Sequence, residues 1–227
     1  MKNLENKNYI NKYISVGISP EMARIRQKNI NENTEIPTSK YIYDVEENIL
    51  RNLLFKEKEN NKYTNLCTLL FSGLSNIRNV PALLGNLVES LSPNDYLLLS
   101  TVLGDDSSED LIKNKVSQNI VNRHSWLLDL LGLTSYISSQ FYNYDSTNRL
   151  RTSYFIMNRD IELEFEIDGR EYTISLLRDE KITFFVSNRY TSSELFNYFA
   201  NAGFVVDQYN TDREQIFALY LLRVKKY

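Results

Sequence analysis

A short polar loop, SGLSNIRN at residues 72–79, places an amide side chain where small ligands bind in many α/β proteins. It follows the apolar run LCTLLF at 66–71, which predicts a buried strand. Ligands of open α/β sheets bind at the carboxyl ends of the strands, so Asn76 is a candidate ligand-binding residue. Ser/Gly/Asn loops are also typical of plain turns, and this second interpretation of Asn76 is equally compatible with the pattern.

Other side chains capable of chemistry are scarce. Cys67 is the single cysteine and His124 the single histidine, which excludes an internal disulfide and any cysteine-rich or histidine-rich metal site. The apolar neighbours of Cys67 favour packing over nucleophilic chemistry, and His124 is expected on a helix surface or in a satisfied core position. Asp44 and Glu47 have the D-x-x-E spacing of a helix capping box, with Asp44 as the N-cap.

The composition predicts a globular domain that binds neither nucleic acid nor membrane. The chain has 227 residues, is 42% hydrophobic and carries a formal net charge of −3, so it lacks a general attraction to polyanions. Its longest apolar runs, such as YLLLSTVL at 96–103, are too short to span a bilayer, and its polar start lacks the apolar core of a secretory signal. We therefore expect a cytoplasmic location.

Residues 13–103 alternate between strand and helix. YISVG at 13–17 predicts a strand, and Ser19-Pro20-Glu21 is a strong helix start because serine caps and proline fits the first turn. SKYIYDV predicts a second strand followed by a helix over EENILRNLLFKEKE, and LCTLLF and DYLLLSTVL are further apolar strands. Apolar strands separated by helices are typical of a parallel sheet covered on both faces.

The pattern changes after Asp105. One or two helices are predicted first, followed by strands over 151–158, 160–168 and 171–177, with Asp168-Gly169 as a hairpin turn. KITFFVS at 181–187 then predicts a strand like those of the first half of the chain. A helix ending at Gly203 and a closing hairpin follow it. We expect one domain over 1–227, with a helical and antiparallel insertion at 106–180 that folds over the carboxyl edge of the main sheet.

The order of these segments resembles a known family. ISPEM, YDVEENI, LLFSGLSNI, LSPNDYLLLS, EKITFFVSNRYTSSELFNYFANAGF and LYLLR follow one another as in the S-adenosylmethionine-dependent histidine-specific methyltransferases of ergothioneine biosynthesis. The resemblance covers nearly the whole chain. It implies an α/β fold with a Rossmann-like methyltransferase sheet, S-adenosylmethionine as cofactor, and an amine or amino-acid-like substrate.

In that family ISPEM follows the second strand, and the first strand with its glycine-rich loop comes before it. MKNLENKNYINK has no apolar alternation and no GxG occurs anywhere, so we expect the first strand to be missing from this sequence. The slot between the second and fourth strands is then expected to be filled by a partner chain or by self-association. The alternative is that YISV is itself the first strand and Gly17 a degenerate loop.

The resemblance also implies site residues. Gly17 stands where the family has an acidic residue for the cofactor ribose, Asp44 matches the aspartate near the adenine, and Gly73 falls in the loop on the cofactor side. Asn76 matches the asparagine that holds the amino-acid end of the substrate, and Ser187 and Tyr190 match positions near the substrate pocket. Phe185 replaces the glutamate that holds the imidazole, so histidine is not the expected substrate. No catalytic residue is assigned.

Two functions follow from this resemblance. The first is one part of a split, or truncated, amino-acid N-methyltransferase, which binds S-adenosylmethionine poorly unless its missing strand is supplied. The second is a non-catalytic binding subunit with a methyltransferase fold, which the absent glycine-rich loop, Gly17 and Phe185 favour.

Overall fold

The first βα unit begins at β1. The computed structural model describes residues 10–57, 63–70, 73–104, 125–167 and 169–225. Strand β1 (Tyr13–Gly17) leads into helix α1 (Pro20–Asn33), whose N-cap Ser19 accepts a hydrogen bond from the Met22 N–H at 3.2 Å. This serine and the proline at the first turn start the helix where the sequence predicts it.

The second unit differs from its prediction at the helix. Strand β2 (Thr38–Ile42) pairs in parallel with β1, but helix α2 covers only Arg51–Glu57. Asp44 is therefore not an N-cap, because its Oδ1 accepts the N–H of Glu46 at 2.9 Å within a turn. The carbonyl of Glu46 accepts the Asn86 side chain at 2.8 Å, and the Leu50 N–H donates to Ser90 Oγ at 2.6 Å. These tertiary bonds fix residues 45–50 outside a helix.

A four-stranded sheet forms the centre of the fold, with the order β10-β11-β4-β3. Strands β3 (Leu66–Leu69) and β4 (Tyr96–Val102) are parallel, and β11 (Phe217–Val224) runs antiparallel between β4 and β10 (Phe204–Thr211). The predicted closing hairpin is confirmed as β10 and β11. The sheet therefore contains two antiparallel pairs, β10–β11 and β11–β4, beside one parallel pair, β3–β4.

Strands β1 and β2 form a separate two-stranded parallel sheet. In the described part of the chain, β1 pairs only with β2 and β3 pairs only with β4. Each of these two sheets therefore ends in a strand whose second edge has no partner among the described residues. Such an edge carries backbone donors and acceptors that can pair with another strand.

The core lies between the four-stranded sheet and its helices. Helix α3 (Val80–Ser90) buries an apolar face, and helix α5 (Ser192–Ala202) contributes Leu195 and Phe199. Thr191 and Glu194 form a capping box at the start of α5, and Gly203 ends it with φ +98°. The most deeply buried members of this core are Leu74, Leu83, Leu84, Leu99, Leu195, Phe199, Tyr220 and Leu222.

The insertion is antiparallel, as predicted, but it contains more strands. After helix α4 (Ser125–Leu130), a three-stranded sheet has the order β5-β6-β9, with β5 (Ile137–Asp145), β6 (Leu150–Met157) and β9 (Lys181–Asn188). Strands β7 (Ile161–Ile167) and β8 (Arg170–Leu176) form a separate hairpin around Gly169, whose φ is +75°. The helices predicted between 106 and 124 lie outside the described residues.

Strand β9 corrects the sequence interpretation. KITFFVS was expected to belong with the main sheet, yet β9 pairs antiparallel with β6 of the insertion, with Arg151 opposite Ser187. Its apolar residues suit either location. The paired residues of β6 and β9 lie 25 to 38 positions apart in sequence, and local periodicity does not specify such a partner. None of the described helices has the length and apolar character needed to cross a bilayer.

Asp95 closes the turn before β4 and is expected to contribute strongly to stability. Its carboxylate accepts the backbone N–H groups of Asn65 and Ser92, each at 2.8 Å, and the residue is 1% exposed. Because hydrogen bonds to buried charged groups contribute roughly 1.5–3 kcal/mol each, Asp95→Ala should lower the free energy of unfolding by about 2–4 kcal/mol. Urea unfolding measures this change in the free energy of unfolding.

Glu162→Ala, on an exposed site of β7, is the control and should stay within about 0.5 kcal/mol of wild type. Equal free energies of unfolding for the two variants would contradict the stabilising role of Asp95.

Candidate functional site

One face of the insertion sheet carries a group of buried polar residues. Arg151 lies opposite Ser187, and Ser153 lies opposite Phe185, on the paired strands β6 and β9. Residues paired directly across antiparallel strands lie on the same face of a sheet. Arg151, Ser153 and Ser187 are buried, as is Arg189 just beyond β9, whereas Phe185 is half-buried. We call this group, Arg151, Ser153, Phe185, Ser187 and Arg189, the β6–β9 polar face.

The β6–β9 polar face contacts the loop that follows β3. Arg189 Nη1 donates to Ser75 Oγ at 3.4 Å, and Ser75 Oγ is 3.5 Å from Thr101 Oγ1 on β4. Ser75 belongs to the 3₁₀ turn Gly73–Asn76 and is fully buried. The predicted ligand loop and the predicted substrate strand are thus brought together at the carboxyl ends of β3 and β4. Asn76 itself is exposed at the end of this turn.

Gly104 allows the insertion to approach the end of β4. A Cβ atom at this position would lie 2.6 Å from Arg189 Cβ and 3.1 Å from Arg149 Cδ. The Gly104 N–H donates to the Tyr190 carbonyl at 3.0 Å, and the Arg189 N–H donates to the Arg149 carbonyl at 2.9 Å. These two backbone bonds hold both arginines against Gly104, so only glycine fits there without movement.

Tyr190 lies at this junction as a neutral phenol. Its ring meets that of Tyr198 edge to face, with centroids 5.9 Å apart. Burial, followed by the nearby Tyr198 and Glu194, raises the pKa of Tyr190 to about 12. A phenol with this pKa stays protonated at neutral pH, so Tyr190 can donate a hydrogen bond but cannot act as a general base there.

Sequence reasoning missed the arginines of this region. Arg149 forms an ion pair with Glu194, the same residue that completes the capping box of α5. Arg149, Arg151 and Arg189 belong to no recognisable spacing pattern, because β6 and β9 bring them together through strand register. The alternation Arg151, Ser153, Phe155 is the one signal in the sequence, since it places a charged residue on the same face as a buried aromatic.

Two of the residues expected on the cofactor side, Gly17 and Asp44, belong to other segments, whereas Gly73 begins the 3₁₀ turn that contains Ser75. Gly17 ends β1, where its carbonyl accepts the Tyr43 N–H at 3.0 Å, and Asp44 follows β2. A Cβ on Gly17 would meet Arg26 Nη1 at 3.4 Å, so a guanidinium lies beside the position where the resemblance implies a carboxylate. An arginine cannot accept hydrogen bonds from ribose hydroxyls. The described residues therefore fit S-adenosylmethionine only in part, with Asp44 available and the ribose acceptor lacking.

Cys67 is not a nucleophile of this site. Burial, and to a smaller extent the nearby Asp95 carboxylate, raises the pKa of its thiol to about 11. The thiol is therefore protonated at neutral pH, and its side chain packs against the main core. The predicted packing role of Cys67 agrees with this environment.

Comparison with known proteins adds two findings. The model of a family described as SAM-dependent histidine-specific methyltransferases matches residues 1–224. No curated protein matches the sequence significantly.

Two solved structures that this chain resembles are methyltransferases. An S-adenosylmethionine-dependent methyltransferase structure from Methanosarcina mazei has a TM-score of 0.51 and 11% identity, covering 100% of this chain and 87% of that chain. A methyltransferase from Clostridium acetobutylicum has a TM-score of 0.48 at 8% identity, covering 99% and 89% of the two chains. The match to the first structure shows the Rossmann-like methyltransferase fold. The family model covers nearly the whole chain, and the chain therefore belongs to the SAM-dependent histidine-specific methyltransferase family.

Proposed function

We propose that this protein is part of an amino-acid N-methyltransferase whose cofactor site is completed by a further strand inserted between β1 and β3. The observation that carries the proposal is the pair of sheet edges without partners among the described residues. S-adenosylmethionine is the cofactor of the family to which the chain belongs. When bound, it supplies an electrophilic methyl group for transfer to a nucleophile.

The open edges suit a parallel strand. Strands β1 and β2 are parallel, as are β3 and β4, and a strand entering between β1 and β3 would join the two sheets into one. Strand addition to an exposed sheet edge is a common mode of peptide recognition, in which main-chain hydrogen bonds supply affinity. A glycine-rich loop after the added strand would bring backbone amides to the cofactor.

We assign the cofactor side to Gly17, Asp44 and Gly73 and the substrate side to Asn76, Phe185, Ser187 and Tyr190. The contact of Arg189 with Ser75 supports the second group, since it holds β9 against the loop that contains Asn76. The insertion at 106–180 would then act as the substrate-binding part, together with β9. Ser187 and Tyr190 match residues near the substrate pocket of the ergothioneine-type methyltransferases, whereas Phe185 stands at the position of the family's glutamate.

Phe185 argues for a substrate other than histidine. It occupies the position of the carboxylate that the family uses to hold the imidazole, and a phenyl ring accepts no hydrogen bond of comparable strength. The role of the chain's own residues would be to orient the substrate amine and to exclude water. No described residue is assigned as a general base, because the phenol of Tyr190 stays protonated.

The second candidate is a non-catalytic binding subunit with the same fold. The observation in its favour is the guanidinium of Arg26 beside Gly17, where a ribose-binding carboxylate is expected. A protein of this kind would keep the strand-accepting edges but would not transfer methyl groups.

An assay of methyl transfer by the completed protein distinguishes the methyltransferase from the non-catalytic binding subunit. The chain would be fused to a preceding apolar strand and glycine-rich loop, incubated with labelled S-adenosylmethionine and a mixture of free amino acids, and the products analysed by mass spectrometry. An amino acid heavier by one or more methyl groups supports the enzyme. No methylated product from the folded, monodisperse fusion would favour the binding subunit.

A further inference from the structure

We propose that the polypeptide which supplies the added strand also carries an amphipathic helix, and that this helix packs against exposed apolar residues of α1. These residues are Ile18, Met22 and Ile25, and we call them the α1 patch. The inference deepens the proposed function and rests on it, because it states what the partner contains besides a strand and a loop. The partner helix has one apolar side, with a carboxylate beside it.

The exposure of three large apolar side chains is the first observation. Ile18, just before the N-cap of α1, is 69% exposed, and Met22 and Ile25 on the helix are 47% and 38% exposed. Met22 and Ile25 are three residues apart, so they are neighbours on the helix surface. Single exposed apolar residues are normal, whereas adjoining ones mark interaction surfaces.

The direction of the α1 patch is the second observation. Gln27 Nε2 donates to Thr38 Oγ1 on β2 at 3.3 Å, so this side of α1 is turned toward β2. At about 3.6 residues per turn, Met22 and Ile25 lie about 140° and about 160° around the helix from Gln27. Both side chains therefore point away from β2, toward the side of the sheet where β1 has no partner among the described residues.

Arg26 marks the open edge of β1. The Gly17 carbonyl accepts the Tyr43 N–H, so Gly17 directs its backbone groups toward β2. Successive residues of a strand direct these groups to opposite edges, and Val16 therefore presents its carbonyl to the open edge. Arg26 Nη1 donates to that carbonyl at 3.3 Å. The guanidinium thus lies where the added strand would enter, on the same flank of α1 as Met22.

Arg26 also defines the charge of the partner. It forms no ion pair with a carboxylate of the described residues, whereas Arg24 pairs with Glu21 of the same helix. An entering strand would supply a backbone N–H to the Val16 carbonyl and release the guanidinium. A carboxylate on the partner helix, next to its apolar side, can then accept charge-assisted hydrogen bonds from Arg26.

The handedness of parallel connections places the partner helix. The chain runs from β1 through α1 to the parallel strand β2, and an added parallel strand would run through its own helix to β1 in the same direction across the sheet. Such connections are right-handed, so both helices lie on one face of the sheet. The partner helix then lies beside α1 on the side away from β2, where Met22 and Ile25 point.

Two labelled peptides provide the test. Both consist of an apolar strand, a glycine-rich loop and a final segment of equal composition. In the first peptide this segment is an amphipathic helix with a leucine side and one glutamate beside it, and in the second its order is scrambled so that no leucine side forms. Fluorescence anisotropy would give the affinity of each for the full chain. We expect the first to bind about 10–100-fold more tightly, because its helix covers half-exposed apolar side chains.

Variants of the chain locate the gain. Met22→Gln combined with Ile25→Gln should remove it and leave the affinity for the scrambled peptide unchanged. Phe55→Gln is the matched control and should keep the gain, because Phe55 is 72% exposed but lies on α2. Arg26→Glu should weaken binding of the amphipathic peptide, and a peptide with lysine in place of its glutamate should restore it.

Four outcomes decide the inference. Equal affinities of the two peptides for the wild-type chain, no binding of either, or a gain that survives both glutamine substitutions would overturn it. Dimers of the unaided chain that these substitutions dissociate in sedimentation experiments would also overturn it, because a second copy would then occupy the α1 patch. Cofactor binding and methyl transfer with both peptides alike would reject the partner helix and leave the proposed function standing. A gain that depends on the α1 patch, without methyl transfer by the complex, would support the partner helix and count against the proposed enzyme.

Discussion

Supplying a strand that ends in a glycine-rich loop is expected to raise the affinity for S-adenosylmethionine from undetectable to the micromolar range. The described residues offer Asp44 but no ribose acceptor at Gly17, so the chain alone holds only part of the cofactor. Several charge-assisted bonds from loop amides, at roughly 1.5–3 kcal/mol each, account for a change of this size. The segment would be fused before Met1 or added as a second polypeptide, and calorimetry would give the affinity.

The same addition should raise the melting temperature and reduce self-association. The added strand would pair with the edges of β1 and β3 that have no partner among the described residues, and each backbone hydrogen bond so formed contributes about 0.5–1.5 kcal/mol. The control is a segment of equal composition with proline in the strand, which cannot donate along its length. Micromolar binding by the unaided, monodisperse chain would contradict the need for an added strand and would favour YISV as the first strand.

Gly104→Ala is expected to destabilise the protein by about 1–3 kcal/mol and to displace the β6–β9 polar face from the loop after β3. The new Cβ would lie 2.6 Å from Arg189 Cβ, and this atom cannot move freely because the Arg189 N–H is bonded to the Arg149 carbonyl. The contact between Arg189 and Ser75 should be lost together with stability. Urea unfolding measures the first effect, and the amide chemical shifts of Ser75 and Arg189 report the second.

Gly85→Ala provides the matched control. Gly85 lies inside helix α3, and a Cβ there would have no heavy atom within 4 Å. Alanine is the better helix former, so this variant should be more stable than wild type by about 0.5–1 kcal/mol. If Gly104→Ala were as stable as Gly85→Ala, the close approach of the insertion to β4 would be wrong.

Local patterns in the sequence were sufficient for several elements. Ser19-Pro20 starts α1, Gly203 ends α5, and Gly169 turns the β7–β8 hairpin, as predicted. Each of these features depends on residues within a few positions of one another. The predicted start of α2 is wrong because Glu46 is held in a turn, locally by Asp44 and across the fold by Asn86, which is 40 residues away.

The sequence by itself determined the alternation of strands and helices, the antiparallel character of the insertion, and the family. Only the tertiary structure decided that β9 pairs with β6, that β1–β2 and β3–β4 belong to separate sheets among the described residues, and that Arg151 faces Ser187. The physical reason is that periodicity records which face of an element is buried, whereas strand pairing depends on backbone hydrogen bonds that any residue except proline can make. The location of buried charge at this site therefore followed from register, which no short stretch of sequence encodes.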